Sequence, residues 1–171
     1  MNLSKLKIGK NPPSEVNVVI EIPKDSNIKY EVDKESGMIF VDRFLHTAMS
    51  YPFNYGFIPN TLAEDGDAVD VLVMSEHAVA PGVVIPSVVI GMLEMEDEEG
   101  IDTKILAVPT MKIDPFFGSF TSIEDVPDAI KNKMKHFFEN YKTLEPGKWV
   151  KIKNWLGKDK AEEAVTKGMT K

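Results

Sequence analysis

The N-terminal part of the chain alternates between apolar and polar residues, a pattern that predicts β-strands with one buried face. Glycine, proline, asparagine and aspartate, which favour turns, separate these alternating runs. A KESG turn that ends at Gly37 joins two of the runs and is typical of a β-hairpin. We therefore predict strands over residues 16–23, 27–33, 38–43, 69–74, 83–96 and 104–108.

The C-terminal part instead carries apolar residues three or four positions apart, which is the spacing along one face of a helix. These residues are Ile130, Met134, Phe137, Phe138 and Tyr141. The pattern predicts a helix that begins at Pro127 and ends before Pro146, and a second, charged helix over residues 159–171. Strands followed by helices favour an α+β fold, with the helices packed on the outside of a small antiparallel β-barrel. No repeat or linker divides the sequence, so we predict a single domain over residues 1–171.

The composition excludes several classes of protein. Hydrophobic residues make up 43% of the chain and charged residues 27%, as in globular proteins, and there is no cysteine to form disulfides or bind metal. Residues 1–16 are charged where a signal peptide needs an apolar run, and proline and glycine interrupt the most apolar window, residues 78–93. The net charge of −7 argues against nucleic acid as a partner. We expect a cytoplasmic protein that binds neither nucleic acid nor a membrane.

An acidic segment, EDGDAVDVLVM, stands directly before one of the predicted strands. Asp65, Asp67 and Asp70 are crowded together there, although like charges this close repel one another. A bound cation would relieve the repulsion, because hard cations take carboxylate oxygens as ligands. The alternative is an acidic turn exposed to solvent, and the three aspartates alone do not decide between the two.

Further charged residues lie within or beside the predicted strands: Glu21, Lys29, Glu31, Arg43, Asp97, Asp102 and Lys104. Most of them, taken singly, are typical of half-exposed strands. Glu21 differs because it lies inside VVIEIP, and a carboxylate in so apolar a strand needs a partner. The whole collection, rather than any one member, indicates a polar site.

Seven segments of the chain occur in the same order and spacing in the soluble family I inorganic pyrophosphatases of the short bacterial type. They are VVIEIP, IKYEVDKESG, FVDRFL, YPFNYGFIP, EDGDAVDVLV, EDEEGIDTK and HFFENYKTLEPGKWVK. The resemblance runs from about Val16 to Trp155, with Ala68 in place of the proline of the family's D-G-D-P-x-D motif. It implies a five-stranded, OB-like barrel with helices outside, and metal-dependent hydrolysis of pyrophosphate to two orthophosphates.

The resemblance also accounts for the crowded carboxylates. The charged residues of the implied site, together with a pyrophosphate of about four negative charges, sum to roughly −7. Three to four Mg²⁺ ions per site, the number that the family implies, would bring this sum close to zero. Mn²⁺ or Zn²⁺ are implied as substitutes for Mg²⁺. The carboxylates would thus assemble metal ions, and the metal ions would make the site complementary to an anion.

The resemblance assigns a role to each residue. Asp67 is the general base that accepts the proton of the attacking water. The implied metal ligands are Asp65, Asp70, Asp97 and Asp102, and the residues that orient metal-bound water are Glu21 and Glu31. The implied phosphate-binding residues are Lys29, Arg43, Tyr55, Lys104, Tyr141 and Lys142. For Lys104 a second role, orienting the carboxylates around it, remains open.

The aromatic segment and the histidines have structural interpretations as well. Phe53 and Phe57 alternate with tyrosines and are expected to fill the core, whereas Tyr51 either supports Tyr55 or contacts the site. The three histidines lack the spacing of zinc ligands. His136 stands where the family places a histidine between two trimers, so the resemblance implies a homohexamer.

Two other classes of protein share some of these features. A calcium-binding EF-hand loop needs glycine at its sixth position, which Asp70 occupies here. An OB-fold domain that binds single-stranded nucleic acid should present a basic groove, which the net charge of −7 opposes. Mg²⁺-dependent release of phosphate from pyrophosphate would separate both from the pyrophosphatase interpretation.

Overall fold

The computed structural model describes residues 3–169. Within these residues, nine strands and two α-helices follow one another. The strands are β1 (Glu15–Ile22), β2 (Ile28–Val32), β3 (Ile39–Phe44), β4 (Asn54–Phe57), β5 (Asp70–Val73), β6 (Val84–Asp97), β7 (Gly100–Ile101), β8 (Lys104–Pro109) and β9 (Val150–Gly157). The helices are α1 (Asp128–Asn140) and α2 (Lys158–Met169).

The mixed α+β fold predicted from the sequence is confirmed, and each predicted strand and helix has an observed counterpart. The end of the predicted second helix, residues 170–171, lies outside the described residues. Three strands, β4, β7 and β9, were not predicted. Gly37 adopts a φ of 67° in the turn between β2 and β3, a left-handed conformation that glycine tolerates best. The division of the chain into a single domain remains a prediction.

Five strands pair in a closed ring, in the order β1, β4, β5, β8, β6 and back to β1. The antiparallel arrangement predicted for this sheet is wrong at one pairing, since β5 and β8 run parallel, with Val71 opposite Ile105. The reason is geometric: strand direction cannot alternate all the way around a ring with an odd number of strands. The strands β7 and β9 extend the sheet from β6, and β2 and β3 form a separate hairpin.

The two helices cover different parts of the core. Phe137 and Phe138 of α1 pack in one buried cluster with aromatic residues such as Phe53. Ala161 and Val165 of α2 pack in another cluster, with alternate residues of β1 and β5. Burial of these apolar faces explains why helices with many charged residues form in this position. Among residues 3–169, no helix has both the length and the apolar composition needed to cross a membrane.

The parallel pairing determines where the polar residues meet. Asp70 is the first residue of β5 and Lys104 is the first residue of β8. Because parallel strands start at the same edge of a sheet, the pairing brings these two side chains side by side. Asp102, two residues before the start of β8, lies at the same edge.

Ring closure between β1 and β4 requires glycine at position 56. A Cβ atom there would lie 1.9 Å from the carbonyl oxygen of Val19. Gly56→Ala should therefore force these strands apart and lower the free energy of unfolding by about 2–3 kcal/mol. Gly157→Ala is the matched control, because a Cβ atom at Gly157 would meet no atom within 4 Å. Denaturant unfolding measures both, and equal losses in the two variants would contradict the close approach.

Candidate active site

The acidic loop, residues 64–70, forms a turn that its own residues stabilise. The backbone N–H of Asp67 donates a hydrogen bond to Asp65 Oδ1 (2.9 Å), and the N–H of Ala63 donates one to the Asp67 carbonyl oxygen (2.6 Å). Gly66 has a φ of 90°, which few other residues adopt without strain. The turn leaves the carboxylates of Asp65 and Asp67 exposed, whereas that of Asp70 is half-buried at the sheet edge.

A buried lysine lies between two of the predicted metal ligands. Lys104 Nζ is 2.6 Å from Asp70 Oδ2 and also contacts Asp102 Oδ1, and it lies over the ring of Tyr55 at 5.5 Å. Burial by itself would lower the pKa of Lys104, but the two carboxylates outweigh burial and raise this pKa above its ordinary value. Lys104 therefore stays charged and holds the carboxylates together. Of the two roles predicted for Lys104, this geometry favours the orientation of carboxylates.

A second buried pair joins the β6–β7 turn to the segment after α1. Lys142 Nζ is 2.7 Å from Asp97 Oδ2, and both side chains are about 9% exposed. Glu98 lies 3.6 Å from Lys142 and also contacts Lys148, while the backbone N–H of Trp149 donates to it at 3.4 Å. Although burial acts in the opposite direction, these partners lower the pKa of Glu98 to about 2. The sequence analysis missed Glu98, because its acidic run is equally typical of an exposed hairpin tip.

The hairpin of β2 and β3 carries a third group of charges. Lys29 Nζ contacts Glu31 and lies 3.5 Å from Asp42 Oδ2. Arg43 Nη1 donates a hydrogen bond to the same Asp42 oxygen at 2.6 Å. The backbone N–H of Val32 donates to Glu21 Oε1 at 2.8 Å and joins the hairpin to β1. Glu21 thus has the partner that its apolar strand required.

The tip of this hairpin reaches the acidic loop. Lys34 Nζ lies 2.6 Å from Asp67 Oδ1, in an ion pair whose two side chains are more than 70% exposed. The sequence analysis did not single out Lys34, because a lysine in a turn is usually solvated. The contact places the candidate general base at the mouth of the site, between the hairpin and the start of β5.

The tyrosines predicted to bind phosphate are buried and protonated. Burial raises the pKa of Tyr55 and Tyr141 well above the ordinary range, so both hydroxyls keep their protons at neutral pH. Tyr51 is 2% exposed, and its ring centroid lies 5.5 Å from that of Tyr55 and 6.3 Å from that of Tyr141. Tyr51 therefore supports both tyrosines by packing.

Glu21 is a buried carboxyl group whose surroundings disfavour its charged form. Its pKa is raised from 4.5 to about 7, chiefly because the side chain is buried. The carboxylates of Asp70 and Glu31 add to this rise, whereas the Val32 N–H and the Lys29 ammonium oppose it. This pKa leaves a large fraction of the Glu21 side chains protonated near neutral pH.

The proposed metal ligands have the chemical type that a hard metal ion binds, but their side chains do not converge on one point. All predicted ligands are carboxylates, which Mg²⁺ prefers. In the described part of the chain, no three histidine, aspartate or glutamate side chains converge as metal ligands would. The ammonium groups of Lys34, Lys104 and Lys142 contact the carboxylates instead. Metal binding would therefore require these lysines to share or release their carboxylates.

The chain resembles known proteins over nearly its whole length. The family model described as inorganic pyrophosphatase matches residues 18–171. An inorganic pyrophosphatase of Aquifex pyrophilus is 60% identical over 169 residues, which cover 99% of this chain and 96% of the relative.

Solved structures agree with this similarity. The crystal structure of inorganic pyrophosphatase from Thermus thermophilus superposes with a TM-score of 0.95 at 45% identity, covering 99% of this chain and 98% of that one. The inorganic pyrophosphatase of Helicobacter pylori gives a TM-score of 0.93 at 49% identity and 97% coverage of each chain. The resemblance noted in the sequence is confirmed, and the chain belongs to the inorganic pyrophosphatase family.

Proposed function

We propose that this protein hydrolyses pyrophosphate to two orthophosphates, with Mg²⁺ as cofactor and Asp67 as the general base. Membership of the family supports the hydrolysis of pyrophosphate. The single observation that supports metal dependence is the crowding of carboxylates around one buried ammonium, where Lys104 contacts both Asp70 and Asp102. An anionic substrate would be repelled by such a site unless cations bound there first.

Four carboxylates would hold the metal ions: Asp65, Asp70, Asp97 and Asp102. Three to four Mg²⁺ per site, replaceable by Mn²⁺ or Zn²⁺, would neutralise the phosphates and make a coordinated water more acidic. Glu21 and Glu31 would accept hydrogen bonds from coordinated waters and so orient them. The contacts of Lys104 with Asp70 and Asp102 support this assignment, since they hold two of the ligands at one point.

The exposure and the contacts of Asp67 support its proposed role as the base that accepts the proton of the attacking water. Its side chain is 71% exposed at the mouth of the site, where water has access. Lys34 contacts only Oδ1, so Oδ2 is the oxygen that can accept the proton. The backbone hydrogen bond to Asp65 holds the base beside a proposed ligand.

The phosphate groups would contact cations and hydroxyls from two sides of the site. Lys29 and Arg43 come from the hairpin, and Lys142 comes from the segment after α1. Tyr55 and Tyr141 can donate hydrogen bonds, because a tyrosine hydroxyl is protonated at neutral pH and burial raises their pKa values further. These groups would stabilise the charge that develops on the leaving phosphate.

Three further features belong to the same proposal. The closed five-strand ring would be an OB-like barrel, and the protein would act in the cytoplasm. It would assemble as a homohexamer of two trimers, with the exposed His136 of α1 at the contact between trimers.

Asp67→Asn tests the general base. The amide cannot accept a proton, so turnover at saturating Mg²⁺ should fall by about 10²–10⁴-fold. Calorimetric titration should show Mg²⁺ binding close to that of the wild type, because the proposed ligands remain. Asp128→Asn, at an exposed position at the start of α1, is the control for the chemical change. Near wild-type turnover of Asp67→Asn would exclude Asp67 as an essential base.

Glu21→Gln tests whether burial and the nearby carboxylates disfavour the charged form of Glu21. The raised pKa means that Glu21 binds its proton more tightly in the folded protein than in the unfolded protein. Its contribution to the free energy of unfolding therefore falls as the pH rises from 4.5 to about 7. In chelator at pH 8, the variant should therefore be more stable than the wild type by about 1–3 kcal/mol. The difference should disappear at pH 4.

Saturating Mg²⁺ should shrink the gain of Glu21→Gln at pH 8, because the cations supply the missing charge. Denaturant unfolding with chelator and with Mg²⁺ gives all these values, and Glu124→Gln at an exposed position is the control. If Glu21→Gln destabilises the metal-free protein at pH 8, burial and the nearby carboxylates do not disfavour the charged form of Glu21.

Light scattering tests the proposed assembly. Protonated histidines facing one another across a symmetric contact repel, so the mass should shift from hexamer toward trimer between pH 7.5 and pH 5. His136→Gln should remove most of this shift. The same mass at both pH values in the wild type would leave His136 without a role in assembly.

A further inference from the structure

Two carboxylates face the guanidinium of Arg43, and they come from different parts of the fold. Nη1 donates to Asp42, the preceding residue of the same strand, at 2.6 Å. Nε lies 3.0 Å from Glu145 Oε1. The Nε–H does not point at that oxygen within hydrogen-bonding geometry, so charge attraction holds this second contact.

Glu145 is a buried acid that the proposed reaction does not use. Its side chain is 10% exposed, and Oε2 is buried without a hydrogen-bond donor among residues 3–169. A carboxylate buried to this extent is costly unless a cation lies beside it, and Arg43 is the cation in contact. The backbone N–H of Glu145 donates to the carbonyl oxygen of Lys142 at 3.0 Å, so one turn carries both residues.

The contact between Arg43 and Glu145 thus spans the two sides of the site. Asp42 moves with Arg43 because both belong to β3, so it cannot fix the guanidinium relative to the rest of the protein. Glu145 belongs to the turn that holds Lys142, which is itself fixed to Asp97. Glu145 therefore sets the position of one proposed phosphate-binding cation relative to another.

We propose that Glu145 is a positioning residue, which aims the Arg43 guanidinium at the phosphate through their ion pair. This inference rests on the proposed function, in which Arg43 binds a phosphate group. Because Nη1 donates to Asp42 and Nε lies beside Glu145, Nη2 is the part of the guanidinium left to meet the substrate. A long side chain that is already held in place loses less conformational entropy when the substrate binds.

A double-mutant cycle between Glu145 and Arg43 tests the inference. Glu145→Gln should lower kcat/KM for pyrophosphate about tenfold in the wild-type background, because the guanidinium is no longer fixed. In the Arg43→Gln background the same change should alter kcat/KM by less than about twofold, since no guanidinium remains to be aimed. Equal losses in both backgrounds would show that Glu145 serves only the structure, and would overturn the inference.

Binding of inorganic phosphate, measured by calorimetry, gives a readout without turnover. Glu145→Gln should weaken phosphate binding only when Arg43 is present. The phosphate-binding measurement tests the inference even if the wild type releases no phosphate from pyrophosphate. That absence of release would by itself contradict the proposed function. Unchanged phosphate affinity in Glu145→Gln would overturn the role of Glu145 in either case.

Two further variants separate positioning from folding. Glu145→Asp keeps the charge but shortens the side chain, so it should retain more kcat/KM than Glu145→Gln. Glu139→Gln makes the same chemical change on α1, where the side chain is 39% exposed, and should leave kcat/KM unchanged. Melting curves check that each protein is folded at the assay temperature. If Glu145→Gln does not fold, a wild-type kcat/KM in Glu145→Asp would overturn the inference.

Discussion

The buried ammonium of Lys104 is the interaction on which the arrangement of the site depends. It contacts both Asp70 and Asp102 at the edge of the sheet and offsets the repulsion between the two carboxylates. The lysine reaches this position because β5 and β8 run parallel from the same edge. A closed ring of five strands must contain at least one parallel pairing. In this sheet, that pairing brings Asp70 and Lys104 to the same edge.

Two further lysines also neutralise carboxylates of the candidate site. Lys142 neutralises Asp97 in a buried pair, and Lys34 meets Asp67 in an exposed one. Glu21 is not paired in this way, and its burial raises its pKa to about 7. The protein thus holds several carboxylates of the site together with its own cations. In the proposed function, metal ions would supply further positive charge to these carboxylates.

Sequence patterns located most of the strands and both helices, but not the pairing of the strands. Alternation located β1, β6 and β8 to within about two residues, and apolar spacing located α1. The strand β9 was missed although Val150 and Ile152 alternate with lysines. The parallel pairing could not be predicted from any local pattern, since it depends on how many strands close the ring.

The resemblance named the residues of the candidate site but could not supply their contacts. The structure brings Asp70, Asp102 and Lys104 together, which favours the orienting role for Lys104. The sequence analysis missed Glu98 and Glu145, because the cations that they contact lie elsewhere in the sequence. Phosphate release from pyrophosphate, measured with Mg²⁺ and again after chelation, tests the central claim most directly. The account predicts release that requires Mg²⁺, whereas equal release in chelator would contradict the idea that these carboxylates assemble metal ions.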